Sequence, residues 1–173
     1  MRRMLVLVVL GLLAACAGYR GGGLTPGQAT LEQVLATMGP PATQWSDPDG
    51  SRRLAYPRGP MGVATFMADI APDGRLVRIE DVMVMSTFAK ITAGMNTEEV
   101  LRVLGPPVAG WTSHYSLRDE LVWGWRYCDD WNQLARFFVL FDASRRTVRS
   151  TMSLRESQAG YLNDDGGSHW CSR

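Results

Sequence analysis

Hydrophobic positions change their spacing several times along this chain, and each change predicts a different element. Residues 5–13 are a continuous apolar run directly after Arg2 and Arg3. Further on, Val34, Leu35 and Met38 fall at the three-to-four spacing of one helix face, and Val100, Leu101 and Leu104 do the same. Thr30 precedes the first group and Asn96 or Thr97 the second, side chains suited to capping a helix N-terminus. Gly39-Pro40-Pro41 and Gly105-Pro106-Pro107 end these helices, because a glycine just past the last turn takes a left-handed conformation and proline cannot continue a helix. From residue 122 the period falls to two. Trp123, Trp125 and Tyr127 are expected on one face of a strand, with Val122, Gly124 and Arg126 on the other. Further strands are expected at 135–141 and 147–154, and earlier at 53–56, 63–70 and 76–83, with turns at 71–74 and 142–146. Residues 85–91 read as an added helix.

The same pattern occurs twice. Glu32-Gln33-Val34-Leu35-Ala36-Thr37-Met38-Gly39-Pro40-Pro41 returns as Glu98-Glu99-Val100-Leu101-Arg102-Val103-Leu104-Gly105-Pro106-Pro107, an offset of 98 − 32 = 66 residues. The strand beginning at Ala64 is answered by the one beginning at Ala135, an offset of 135 − 64 = 71. A helix motif and a strand motif returning in one order predict two tandem copies of one small unit.

At the start, two cations followed by a short apolar run read as a signal peptide over residues 1–15. The run falls short of the roughly 20 apolar residues that a spanning helix needs. Leu13-Ala14-Ala15-Cys16 resembles the lipobox of bacterial lipoproteins, which implies acylation of Cys16 as the mature N-terminus. Several acyl chains hold a protein at a bilayer effectively permanently. Ala17, where such proteins often carry an aspartate for inner-membrane retention, points to the outer membrane, with the periplasm as the working compartment. Residues 16–26, with Gly18, Gly21, Gly22 and Gly23, are expected to be a lipidated flexible tether, with order beginning near Leu24.

Removing 15 of the 173 residues leaves 158, enough for one ordinary domain or two very small ones. Arg2 and Arg3 leave with the signal, so 18 − 2 = 16 basic residues face 17 acidic ones, and no basic footprint for nucleic acid remains. With Cys16 acylated, Cys128 and Cys171 are left as a pair for a disulfide in an oxidising compartment. A metal site built on His169 and Cys171 lacks a second spaced ligand pair. Catalytic signals are equally thin. His114 and His169 sit in polar contexts without a nucleophile motif, the adjacent acids Asp129-Asp130 and Asp164-Asp165 read as solvated turns, and no cofactor motif is present. Trp111, Trp123, Trp125, Tyr127 and Trp131 crowd one region, and the row Trp123, Trp125, Tyr127 reads either as core or as a protein-binding face.

Residues 90–100 through Gly105-Pro106-Pro107, then Trp125-Arg126-Tyr127 and the strand ending Phe141-Asp142, resemble the SmpA/OmlA (BamE-like) family of outer-membrane assembly lipoproteins. The tandem form resembles instead the β-lactamase inhibitory proteins, which are secreted rather than lipidated. The resemblance implies an α+β fold of two BamE/BLIP-like repeats, at 27–84 and 85–155. Each is one or two short helices packed on a three-stranded antiparallel meander, and a tail follows at 156–173. It also implies a non-enzymatic, lipid-anchored periplasmic binding protein supporting outer-membrane protein assembly, with membrane lipid and the β-barrel assembly machine as partners. The alternative is an inhibitor-like module that clamps a partner enzyme on its sheets.

Overall fold

The computed structural model describes residues 20–158 and Cys171. The expected signal peptide, Cys16 with its expected acylation, His169 and Asp164-Asp165 therefore lie outside the described residues. In chain order the elements are α1 (Leu31–Met38), β1 (Thr43–Ser46), β2 (Arg52–Pro57), β3 (Thr65–Ile70), β4 (Leu76–Asp81), α2 (Met85–Phe88), α3 (Thr97–Leu104), β5 (Ser113–Tyr115), β6 (Glu120–Cys128), β7 (Leu134–Asp142) and β8 (Thr147–Arg155). The fold is α+β, with two four-stranded antiparallel sheets of order β1-β2-β3-β4 and β5-β6-β7-β8 and few helices. Three strands were expected in each sheet. The extra strands, β1 and β5, are four and three residues long, too short to show an alternation of their own, and exist because a longer neighbour offers them a ladder. No helix among the described residues is long and apolar enough to cross a membrane.

Both eight-residue helices begin with a capping box. Thr30 Oγ1 accepts from the Gln33 N–H while the Gln33 side chain accepts from the Thr30 N–H, and Asn96 and Glu99 repeat the exchange. Both end on a glycine whose N–H returns to the carbonyl four residues back. The glycines are not in the left-handed helical region expected of them. Gly39 sits at φ 82°, ψ −171° and Gly105 at φ 72°, ψ −178°, an extended positive-φ conformation open to glycine almost alone. Each helix start is also pinned to a strand start by an isolated antiparallel bridge, Thr30 with Arg75 and Asn96 with Thr147.

The described residues divide into two compact units, the first holding those up to Leu54 with Ala68–Ile79, the second Ala55–Met67 with those from Glu80 on. In the first, Val34 and Met38 of α1 are buried together with Trp45, Leu54, Ala68, Ile70 and Leu76, whereas Leu35 is exposed. The chain already folds in here at residue 20, ahead of the expected onset of order near Leu24. Gly21 is buried so close to Ile79 that a Cβ would come within 2.5 Å of its Cδ1. On the surface of this unit Asp69 bridges Arg53 at 2.5 Å and Arg78 at 2.7 Å.

In the second unit the long sheet carries most of the core on one face. Phe88 of α2 stacks on Phe137 with ring centroids 4.1 Å apart and meets Tyr127 edge-on at 4.8 Å. Trp123 lies edge-on to Phe141 at 4.8 Å, and the Trp125 indole N–H donates to the carbonyls of Gly105 and Pro106 at 3.2 and 3.1 Å, fastening the end of α3 to β6. Cys128 at the end of β6 and Cys171 form a disulfide with Cα atoms 5.5 Å apart, 43 residues apart in sequence. Closing a loop of that length contributes about 4 kcal/mol on the chain-entropy account. Reduction with dithiothreitol, or Cys128→Ser, is expected to lower unfolding free energy by about that amount. Chemical denaturation with and without reductant checks this.

Candidate functional site

The row Trp123, Trp125 and Tyr127 is 8%, 2% and 3% exposed. These side chains are core, not a binding face. Parity explains it: α2 and α3 cover the face to which odd-numbered positions of β6 and β7 point, so Phe137, Val139 and Phe141 are buried with them.

The opposite parity builds the more notable surface. Cross-strand partners Val122 and Leu140, and then Gly124 and Phe138, lie side by side across β6 and β7, and Met152 of β8 lies opposite Phe138. Above Gly124 sits Trp111, from a one-turn 3-10 helix at Ala109–Trp111. Gly124 is what admits it: a Cβ there would stand 3.0 Å from the Phe138 ring and 3.1 Å from the Trp111 Cβ. Tyr115 on β5 and Arg118 in the following turn complete the wall of a groove of about 720 Å³ with an apolar floor. Val122, Phe138 and Leu140 are half-buried, while Tyr115, Leu117 and Met152 are exposed, Leu117 completely. A water-facing sheet face ordinarily carries polar side chains, so a partly uncovered apolar floor of this kind makes the groove the candidate site.

The rim is held rigidly. Asp119, at φ 49°, accepts from the Ser144 N–H at 2.9 Å and its hydroxyl at 2.6 Å, and its own carbonyl accepts from Ala143 N–H at 2.9 Å. The Ser144 hydroxyl, ahead of the smaller opposing effect of burial, holds the Asp119 carboxyl below the usual carboxylate range. This locks the turn Ser116–Arg118 that presents Leu117 and Arg118.

Next along the same face, Arg126 and Arg136 stand directly opposite each other on β6 and β7. Two like charges in register repel, and a third residue resolves the conflict. Glu156, just after β8 and with a side chain 0% exposed, accepts from Arg126 at 2.5 and 3.1 Å and from Arg136 at 2.8 Å. Burial alone would raise the Glu156 carboxyl; the bonds and charges of the two guanidiniums outweigh it and hold it below its ordinary range. The Arg136 guanidinium also stacks on Trp111, 3.9 Å from the ring centroid. Glu156 was not singled out in the sequence, where it opens a tail. The available signal was the matched parity of Arg126 and Arg136, which demands a nearby anion.

Of the residues set aside as catalytic in the sequence, His114 is exposed on β5, and Asp129, expected in a solvated turn, is engaged structurally: it receives Arg155 at 2.6 Å and the N–H groups of Trp131 and Gln133, each at 2.9 Å. Among the described residues no group of three or more His, Cys, Asp or Glu is placed to hold a metal ion. The groove offers hydrocarbon, aromatic faces and a few fixed charges, the chemistry of recognition. No family model, curated protein or solved structure matches this chain.

Proposed function

We propose that this chain is a non-enzymatic, lipid-anchored binding protein of the outer membrane, facing the periplasm, which supports envelope or outer-membrane protein assembly by docking a protein partner on the outer face of its second sheet. The observation that carries the reading is the apolar floor formed by Val122, Phe138, Leu140 and Met152 beside exposed Tyr115 and Leu117. The anchor rests on Leu13-Ala14-Ala15-Cys16. A duplicated BamE/BLIP-like origin draws support from the matched capping boxes, the matched glycine stops and the two isolated bridges, each in the same place relative to its helix. Fold likeness would not by itself name a partner, and the β-barrel assembly machine is proposed on the sequence resemblance.

Mild-detergent co-purification of the acylated chain from native membranes, with bound proteins identified by mass spectrometry, tests the reading. Reproducible recovery of the β-barrel assembly machine is the expected result; recovery of a single soluble enzyme instead would favour the inhibitor-like alternative. For the anchor, Cys16→Ser is expected to abolish incorporation of a labelled fatty acid, and unchanged labelling would contradict it.

A further inference from the structure

We infer that the partner segment taken by the groove is an acidic amphipathic helix, its apolar stripe on Phe138, Leu140 and Met152 and its carboxylates at Arg118; this rests on the docking reading above. The width of the floor sets the shape. It spans the three strands β6, β7 and β8, about 10 Å at the usual strand spacing, which matches the roughly 10–12 Å diameter of a helix with its side chains. A single acyl chain is too slender to cover it.

The charges lining the groove set the sign. Glu120 is matched by Arg149 at 3.7 Å, which also binds Asp142, and Arg136 is held by Glu156. Arg118 is exposed and rests over the Tyr115 ring, 5.6 Å from its centroid, with no carboxylate bridged to it among the described residues. The cation left facing the groove is therefore Arg118. It sits in a turn already fixed by Asp119, so an incoming carboxylate meets a group whose ordering has largely been done. An apolar stripe flanked by acids then satisfies floor and rim together, the helix-in-groove mode of recognition.

The test uses the purified full chain and two fluorescent peptides of about 14 residues, roughly 20 Å of helix, with one leucine stripe and either glutamates or lysines flanking it. The glutamate peptide is expected to bind about tenfold tighter than the lysine peptide at low salt, with the ratio shrinking near about 0.5 M salt. Arg118→Glu is expected to erase or reverse the preference, and Met152→Glu to weaken the glutamate peptide about tenfold with an unchanged circular dichroism spectrum. Equal binding of both peptides, or a preference that survives Arg118→Glu, would overturn the inference. A photocrosslinker at position 152 in native membranes separates the two levels. A protein adduct without peptide preference leaves the docking face standing and removes the acidic helix; no adduct and no peptide binding removes both.

Discussion

Glu156→Gln is expected to destabilise the second unit by about 3 kcal/mol at neutral pH, a large effect for one exchange of nearly equal shape. Arg126 and Arg136 are directly opposed, and their side chains are only 10% and 13% exposed, so removing the buried carboxylate they share sets two semi-buried cations against each other. Replacing all three residues by apolar ones is expected to cost less than removing Glu156 alone, because no buried charge is then left without its partner. The pH dependence follows from the direction of the shift. The Glu156 carboxyl is depressed in the folded chain, so its contribution is fully present above the unfolded carboxylate value near about 4.3 and is lost as pH falls through the lower folded value. Asp119 and Asp129 are depressed as well and add their own acid sensitivity. The informative quantity is therefore the difference between the parent chain and Glu156→Gln in urea unfolding, wide at pH 7 and closing in strong acid. A difference that stays constant through that range would show that the ion cluster is not its origin.

Gly105→Ala and Gly39→Ala form a matched pair. The two glycines close equivalent helices in nearly the same backbone conformation, so an alanine carries the same backbone penalty of about 2 kcal/mol at either. Their surroundings differ. Nothing lies within 4 Å of a Cβ at Gly39, whereas at Gly105 it would come within 2.9 Å of the Thr65 Cγ2 and 3.5 Å of Ala55 and Met67. Gly105 is also fastened to the Trp125 indole through its carbonyl, which limits how far it can shift. Gly105→Ala is expected to cost about 2 kcal/mol more than Gly39→Ala, an overpacking contribution on top of the shared backbone one. Equilibrium denaturation of the two variants measures it, and equal losses would mean that the core around Gly105 yields freely.

The helices and the long strands were legible because their signals are local. Capping residues at Thr30 and Asn96, the Gly-Pro-Pro stops and the alternation from Val122 to Tyr127 each specify a conformation within a few residues. The short strands were not. Thr43–Ser46 has one buried side chain, Trp45, and Ser113–Tyr115 has none. Ownership of the two sheet faces was illegible for another reason. Phe137 to Phe141 is a continuous apolar run, the same sequence whether one face or both are covered, so only the position of α2 and α3 assigns Trp123, Trp125 and Tyr127 to the core and leaves Phe138 and Leu140 to the groove. The paired cysteines were found by counting, since setting Cys16 aside for the expected acylation leaves two of the three. Glu156 escaped because its role depends on two strands 30 and 20 residues away.

The outer face of the second sheet is proposed to dock a protein at the membrane. The most direct measurement is photocrosslinking in living cells, with the reactive side chain placed in turn at Met152 on the groove and at Val77, an equally exposed apolar position on the first sheet. A discrete adduct of one protein from position 152 that disappears with Phe138→Glu, and none from position 77, is the expected result. Adducts of equal yield from both positions, or from neither, would contradict it.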